Sequence, residues 1–215
     1  MTVILVLLTF LAFIVLDYVL GRDKAVQPEV LPAPDVDYIH GFLAPANLSY
    51  HPGHSWALSE RRNLVRVGAD EFAAALAGRI DKIELPKPGQ WIRQGQRAWS
   101  FHRAGEKTEM VSPTEGEVVE VNQDVLSDPS LLRRDPYGCG WLATIHVPDE
   151  ETTSRNLVPA GLVRRWMRDA VERLYALQPR LAGLVAADGG RPTGDLLAGL
   201  PEASWKEVTR EFFLS

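Results

Sequence analysis

The chain has 215 residues, 46% of them apolar, and at ~150 residues per domain this length fits one compact domain with additions rather than a large multidomain machine. Its formal net charge of −5 gives it no overall attraction to a nucleic-acid backbone, so nucleic acid is not an expected partner. The single cysteine, Cys139, excludes an intramolecular disulfide and any site built from several cysteines of this chain.

The first twenty residues are the most apolar part of the sequence, because only three of them are polar. As a helix, twenty residues span ~30 Å, which matches the hydrocarbon core of a bilayer. A secretory signal would carry a basic residue before the apolar run and a small-residue cleavage pattern after it, and neither occurs before Arg22. The sequence therefore predicts an uncleaved transmembrane anchor over residues 1–21, with a cleaved signal peptide or a buried core helix as the alternatives.

The residues that follow this run predict its orientation. Arg22 and Lys24 are the nearest basic residues, and positive charge on the C-terminal side keeps the following chain in the cytoplasm. We therefore expect a single-pass protein of the inner or plasma membrane. Residues 22–49 contain four prolines among acidic side chains, which predicts an extended, hydrated tether.

Residues 50–147 carry Pro- and Gly-rich turn signals at intervals that fit short strands, so a mainly β domain is expected. One helix is predicted between the strands, from Asp70 to Gly78, because acidic residues open it and glycine closes it. A hairpin is predicted from strand 98–102 through a tip at 103–107 to strand 108–111, with Gly105 supplying a positive φ angle. The other predicted strands are residues 63–67, 80–85, 91–93, 117–122 and 142–147.

Five motifs follow one another in this β-rich segment, and the Pro-x-x-Gly spacing of one recurs after 27 residues, which suggests two similar halves. The motifs are Tyr50-x-x-x-His54-x-Trp56, Val67-Gly-Ala-Asp-Glu-Phe72-Ala73, Leu85-Pro86-x-x-Gly89, Ser112-Pro113-x-x-Gly116-Glu-Val-Val-Glu-Val-Asn122 and Asp135-Pro-Tyr-Gly-x-Gly140-Trp141-Leu142. In order and spacing the segment resembles the H protein family of the glycine cleavage system, within the wider lipoyl and biotinyl carrier domains. The resemblance covers about 100 residues of the chain. It implies a barrel-sandwich hybrid of two small antiparallel sheets, with an attachment hairpin at one end.

The resemblance also implies where a lipoyl group would be attached. Family members carry lipoate on a lysine at the hairpin tip, eight residues before the proline of the Ser-Pro-x-x-Gly turn. Counted back from Pro113, this position is Gly105, which has no amine, so no lipoate is expected. The fallback candidate is Lys107, which is either an ordinary solvated lysine on a strand edge or a displaced lipoylation site.

Other chemistry-bearing residues give weaker signals. His51 and His54 have the spacing of a metal-binding pair, but no third ligand supports them and His54 has a counterpart in the family pattern, so no metal is expected. Cys139 has no base or cation beside it in the sequence and is expected to fill a glycine-rich turn. The chain has no nucleophile-elbow, P-loop or dinucleotide-binding motif, so an enzyme is not favoured.

Residues 148–215 are predicted to form a helical extension. One helix is expected from Pro159 to Gln178 and another from Pro201. The arginine-rich face of the first helix is either a solvated, ion-paired surface or a surface that binds anionic lipid headgroups. The apolar face of the second helix either packs on the β domain or docks a partner. The apolar residues concerned are Leu162, Trp166, Ala170, Leu174 and Leu177 in the first helix and Trp205, Val208, Phe212, Phe213 and Leu214 in the second.

These predictions lead to one functional hypothesis and one alternative. The hypothesis is a non-catalytic, membrane-anchored, H-protein-like scaffold or docking subunit without lipoate, whose partners are the membrane and a protein or membrane complex. The alternative is a lipoyl carrier, modified at Lys107, that shuttles intermediates or electrons.

Overall fold

The structure is a computed structural model, and it describes residues 36–177, 196–197 and 202–214. The described residues belong to the larger of two compact units of the chain, Asp35–Ser215. Its strands are β1 Val36–Ile39, β2 Phe42–Pro45, β3 Ser49–Tyr50, β4 Ser55–Arg61, β5 Leu64–Ala69, β6 Lys82–Glu84, β7 Trp91–Ile92, β8 Arg97–Arg103, β9 Glu106–Val111, β10 Gly116–Val121 and β11 Ala143–His146.

The strands pair antiparallel and build two sheets around one apolar core. One sheet has the order β3-β4-β5-β11-β10-β7, the other has the order β6-β8-β9, and β1 pairs separately with β2. Alternate residues of a strand point to opposite faces of the sheet. Trp99 and Phe101 of β8 and Met110 of β9 are buried in the core, whereas Lys107 of β9 is exposed on the other face. The predicted strands all occur, with ends within two residues of the prediction.

Six helices are described around these sheets. The first, α1 Glu71–Ala77, confirms the helix predicted from Asp70 to Gly78, because the Asp70 carboxylate caps it by accepting a 2.7 Å hydrogen bond from the amide of Ala73. The others are α2 Gln123–Ser127, α3 Leu131–Arg134, α4 Glu150–Ser154, α5 Val163–Leu177, which follows a 3-10 turn at Ala160–Leu162, and α6 Glu202–Phe213.

Part of the predicted tether is folded. Residues 36–45 form the β1–β2 hairpin, and Ile39, Phe42 and Ala44 are buried in the core. The tether prediction was wrong for this part because proline and acidic residues dominated its composition, whereas the free energy of burying the apolar residues between them favours a packed hairpin.

The predicted apolar face of α5 was also wrong in part. Ala170 and Leu174 are buried as expected, but Leu162 and Leu177 are 52% and 45% exposed. The buried row instead includes Met167 and Val171, which lie one residue further round the helix from the expected row.

Three predicted features lie outside the described residues. These are the anchor at 1–21, the tether up to residue 35 and the predicted end of the first C-terminal helix at Gln178. Within the described ranges, no helix is both long and apolar enough to cross a membrane. The division into a β domain at 50–147 and an extension at 148–215 stays a prediction.

Candidate functional site

The β8–β9 hairpin ends in a two-residue turn. Arg103 pairs with Glu106, and Ala104 and Gly105 between them have φ angles of 49° and 84°. Two successive positive φ angles are typical of the type I′ turn, whose twist matches that of the flanking strands. The predicted five-residue tip was therefore too long, because residues 103, 106 and 107 belong to the strands.

Lys107 lies on the outer face of the small sheet, beside the turn. It belongs to the second residue pair of the hairpin, opposite His102. Its side chain is 45% exposed, and its ammonium nitrogen Nζ lies 3.3 Å from a Glu109 carboxylate oxygen and 3.9 Å from one of Glu84. Lys107 is thus held by two carboxylates on the sheet surface.

Glu84 is the centre of this charged surface. Its carboxylate accepts a 2.8 Å hydrogen bond from Lys82 Nζ, and its other oxygen lies 3.2 Å from Nε2 of His102. These two contacts, with Lys82 the stronger, lower the pKa of Glu84 to about 2. The carboxylate is therefore ionised at neutral pH and attracts the lysines beside it.

A cleft of about 320 Å³ opens between this sheet and α6, which packs against β9. The sequence did not predict the cleft, because its basic residues come from segments about 100 residues apart. A weak signal existed, since Lys206 and Arg210 are spaced i,i+4 on the side of α6 opposite its apolar residues. The cleft is lined by Arg97, Lys107, Thr108, Glu109, Lys206 and Arg210.

The turn itself does not fit a lipoyl group. That group is joined to a protein by an amide on a lysine amine, and neither Ala104 nor Gly105 has one. A Cβ atom added at Gly105 would meet nothing within 4 Å, so the position has space for a longer side chain, but its φ angle of 84° strains any residue other than glycine. Lys107 is the lysine next to this turn in the sequence.

The two histidines have structural partners. His51 accepts a 3.0 Å hydrogen bond from the amide of Gly53 through Nδ1, and His54 Nδ1 lies 2.8 Å from the Asp70 carboxylate. The His54 ring is fully buried between the rings of Phe72 and Trp166, at centroid distances of 4.4 and 4.6 Å. No group of three or more metal-ligating side chains occurs among the residues that the structure describes.

Cys139 is exposed and lies in the turn before β11. Its amide and that of Gly138 donate hydrogen bonds of 2.6 and 3.0 Å to the Asp135 carboxylate, which fixes the path of the turn.

Two antiparallel sheets around one core and an exposed hairpin turn define a small carrier domain of the lipoyl and biotinyl class. Residues 48–170 match the model of the Glycine cleavage H-protein family, and the chain therefore belongs to this family. Members of the family are lipoyl carriers rather than catalysts, and the fold of this chain is the mainly β, lipoyl-domain-like H-protein fold with C-terminal helices.

Curated relatives support the assignment. The chain is 33% identical over 105 residues to a glycine cleavage system H protein of Mycobacterium leprae, which covers 49% of this chain and 80% of the relative. It is 37% identical over 107 residues to that of Thermobifida fusca, covering 49% and 83% of the two chains. A crystal structure of the H protein from Mycobacterium marinum aligns with a TM-score of 0.46 at 27% identity, covering 49% of this chain and 87% of that one.

Proposed function

We propose that this chain is a non-catalytic H-type domain that carries no lipoate and serves as a membrane-anchored scaffold or docking subunit. The observation that supports this most is the Ala104–Gly105 turn, which offers no amine at the tip of the hairpin. The contacts of Lys107 also favour it, because a lysine between Glu84 and Glu109 is stabilised as a charged group of the sheet surface.

The proposed protein partner presents acidic groups to the basic cleft. Four basic residues and one carboxylate, Glu109, line the cleft between β9 and α6. Complementary charge raises the association rate and selects partners even where it adds little affinity.

The membrane part of the proposal rests on the sequence of residues 1–21, whose length and apolarity suit a bilayer span. The basic residues Arg22 and Lys24 place the H-type domain on the cytoplasmic side of an inner or plasma membrane under this proposal. No metal and no nucleic acid take part in it.

Intact-mass measurement tests the absence of lipoate. The full chain, its Gly105→Lys variant and its Lys107→Arg variant are each produced with a lipoate-attaching enzyme, with the Thermobifida fusca relative as the positive control. We expect no lipoyl mass increment on the natural chain and an increment on Gly105→Lys. An increment on a peptide of the natural chain that contains Lys107, lost in Lys107→Arg, would instead establish the carrier alternative.

Crosslinking from native membranes tests the docking role. Lys107→Glu reverses a charge in the cleft, whereas Lys87→Glu makes the same change at an exposed lysine in the loop before β7. We expect Lys107→Glu to lose most of the crosslinked partner and Lys87→Glu to retain it. Equal retention by both variants would contradict docking at this cleft.

A further inference from the structure

The turn before α5 exposes an unusual run of apolar residues. Residues 159–162, Pro-Ala-Gly-Leu, are all exposed, and a Cβ atom added at Gly161 would meet nothing within 4 Å. Single exposed apolar residues are common on protein surfaces, whereas a continuous run marks an interaction surface.

Apolar grooves flank this turn on both sides. One groove of about 630 Å³ is lined by apolar residues such as Leu157 and Trp166, with three charged residues of α5 along one side. The other, of about 310 Å³, lies between β2 and the start of α5 and includes Leu48 and Arg164. The turn therefore stands as a ridge between two shallow apolar surfaces. A peptide fits best into a single groove, whereas a ridge with apolar flanks suits a flat, deformable partner.

The residues directly after the ridge are basic. Arg164, Arg165 and Arg168 are exposed on the first two turns of α5, and the one acidic residue between positions 159 and 169 is Asp169, which lies 3.9 Å from Nε of Arg165. This local excess of positive charge occurs in a chain whose net charge is −5. Apolar residues bordered by arginines are the chemistry that binds an anionic lipid surface.

The start of the described chain lies beside this surface. β1 packs against α5, and fifteen residues separate Leu20 from Val36. Fully extended, fifteen residues reach at most ~50 Å. An N-terminal segment inserted in a bilayer would thus keep the ridge within reach of the same membrane.

We propose that the ridge, residues 159–162, and the basic first turns of α5 after it, residues 163–168, bind the surface of an anionic bilayer. Leu162 and its apolar neighbours enter the interface between headgroups and acyl chains, and the arginines contact the lipid phosphates. The contact would fix the orientation of the H-type domain on the membrane. It goes beyond the docking role and requires neither the presence nor the absence of lipoate.

Spin labels on the full chain test this proposal. In a Cys139→Ser background, Gly161→Cys carries a label on the ridge and Val119→Cys carries a control label on β10, where the natural valine is 51% exposed. The protein is mixed with vesicles of phosphatidylcholine alone or with added phosphatidylglycerol. Collisions with a water-soluble nickel complex and with oxygen then report whether each label lies in water or in lipid.

We expect the label at 161, and not that at 119, to be shielded from the nickel complex and accessible to oxygen only when phosphatidylglycerol is present. The double variant Arg165→Glu, Arg168→Glu should reduce this shielding at least ~tenfold, while Arg133→Glu, Arg134→Glu on α3 should not change it. Equal exposure of the label at 161 to water in both kinds of vesicle would overturn the proposal. Shielding from both the nickel complex and oxygen would also overturn it, since a protein contact would then cover the ridge. The lipoyl mass and the crosslinked partner are separate readouts, so failure here is distinguishable from failure of the docking role.

Discussion

At the scale of single residues, the two histidines of His51-Pro-Gly-His54 have the spacing of a metal-binding pair, but the structure explains them as parts of a turn. The chain turns here between β3 and β4, with the His54 amide donating a 2.9 Å hydrogen bond to the carbonyl of His51. Gly53 is needed because a Cβ atom there would lie 2.8 Å from a Val111 side-chain carbon and 3.0 Å from the carbonyl oxygen of Phe213. The turn therefore joins the β core to the end of α6.

His51 makes this turn sensitive to pH. Burial, and to a smaller degree the charge of His54, lower the pKa of His51 below its ordinary value of 6.5. The folded state therefore keeps His51 neutral while the unfolded chain binds a proton below pH 6.5. It follows that this group destabilises the fold as the pH falls from 6.5 through the folded pKa.

We predict that His51→Asn removes this pH dependence. The Asn side-chain oxygen can accept the Gly53 amide hydrogen bond in place of Nδ1, but it does not titrate. Urea unfolding between about pH 7 and about pH 5 should show a smaller loss of the free energy of unfolding for the variant than for the natural chain. Val119→Asn, at an exposed residue that does not titrate, should lose as much as the natural chain. Parallel curves for all three proteins would show that His51 does not titrate in this way.

Two glycines at the same place in a repeated motif are required for different structural reasons. Gly89 and Gly116 occupy the same place in the repeated Pro-x-x-Gly spacing. Gly89 has a φ angle of 82° and open space around it, whereas a Cβ atom at Gly116 would lie 2.1 Å from the carbonyl oxygen of His146. The sequence predicted both turns correctly. Only the tertiary structure shows that Gly89 is required by its backbone conformation and Gly116 by the lack of space for a side chain.

At the scale of elements, the strands were predictable because their polarity alternates and Pro or Gly separates them. The hairpin tip was predicted less well, because Arg103 and Glu106 are polar and resemble a loop in sequence, yet they pair directly. The register of such a hairpin depends on the turn type. The register also decides where Lys107 lies. The sequence therefore predicted Lys107 as a candidate lipoylation site, but not its pairing with His102 or its contacts with two carboxylates.

The hairpin turn carries a local strain that a substitution can relieve. Ala104 has a φ angle of 49°, a region that costs most side chains free energy and that Asn tolerates. We predict that Ala104→Asn raises the free energy of unfolding by ~0.5–1 kcal/mol and that Gly105→Ala lowers it by ~1 kcal/mol. Chemical denaturation measures both values. If the two variants change stability in the same direction, the type I′ turn is incorrect.

At the scale of the whole molecule, α6 packs on the β domain although about ninety residues separate it from β9. The sequence left two roles open for its apolar residues, and the structure assigns Trp205, Phe212 and Phe213 to packing while Leu214 is 54% exposed. Phe212 and Phe213 contact the rings of Phe72 and Phe101 edge-on. Periodicity alone predicts an apolar face but not the surface that it covers.

The packing of α6 also positions the basic cleft. Trp205 and Thr209 bind α6 to the domain through side-chain hydrogen bonds. Nε1 of Trp205 donates to the Ala77 carbonyl at 3.2 Å, and the Thr209 hydroxyl lies 2.9 Å from that of Thr108. These contacts hold Lys206 and Arg210 opposite β9. Loss of this packing should therefore weaken both the stability of the domain and the docking of an acidic partner.

We predict that Trp205→Ala lowers the free energy of unfolding by ~3–5 kcal/mol, because it removes a nearly fully buried aromatic side chain and leaves the Ala77 carbonyl without that hydrogen bond. Trp91→Ala is the matched control, since Trp91 is 49% exposed and its loss should cost no more than ~0.5 kcal/mol. Urea unfolding followed by circular dichroism compares the two variants with the natural chain. Under conditions where Trp205→Ala is still folded, it should also retain less of the crosslinked partner than Trp91→Ala. Equal stability of the two variants would mean that α6 does not pack on the β core.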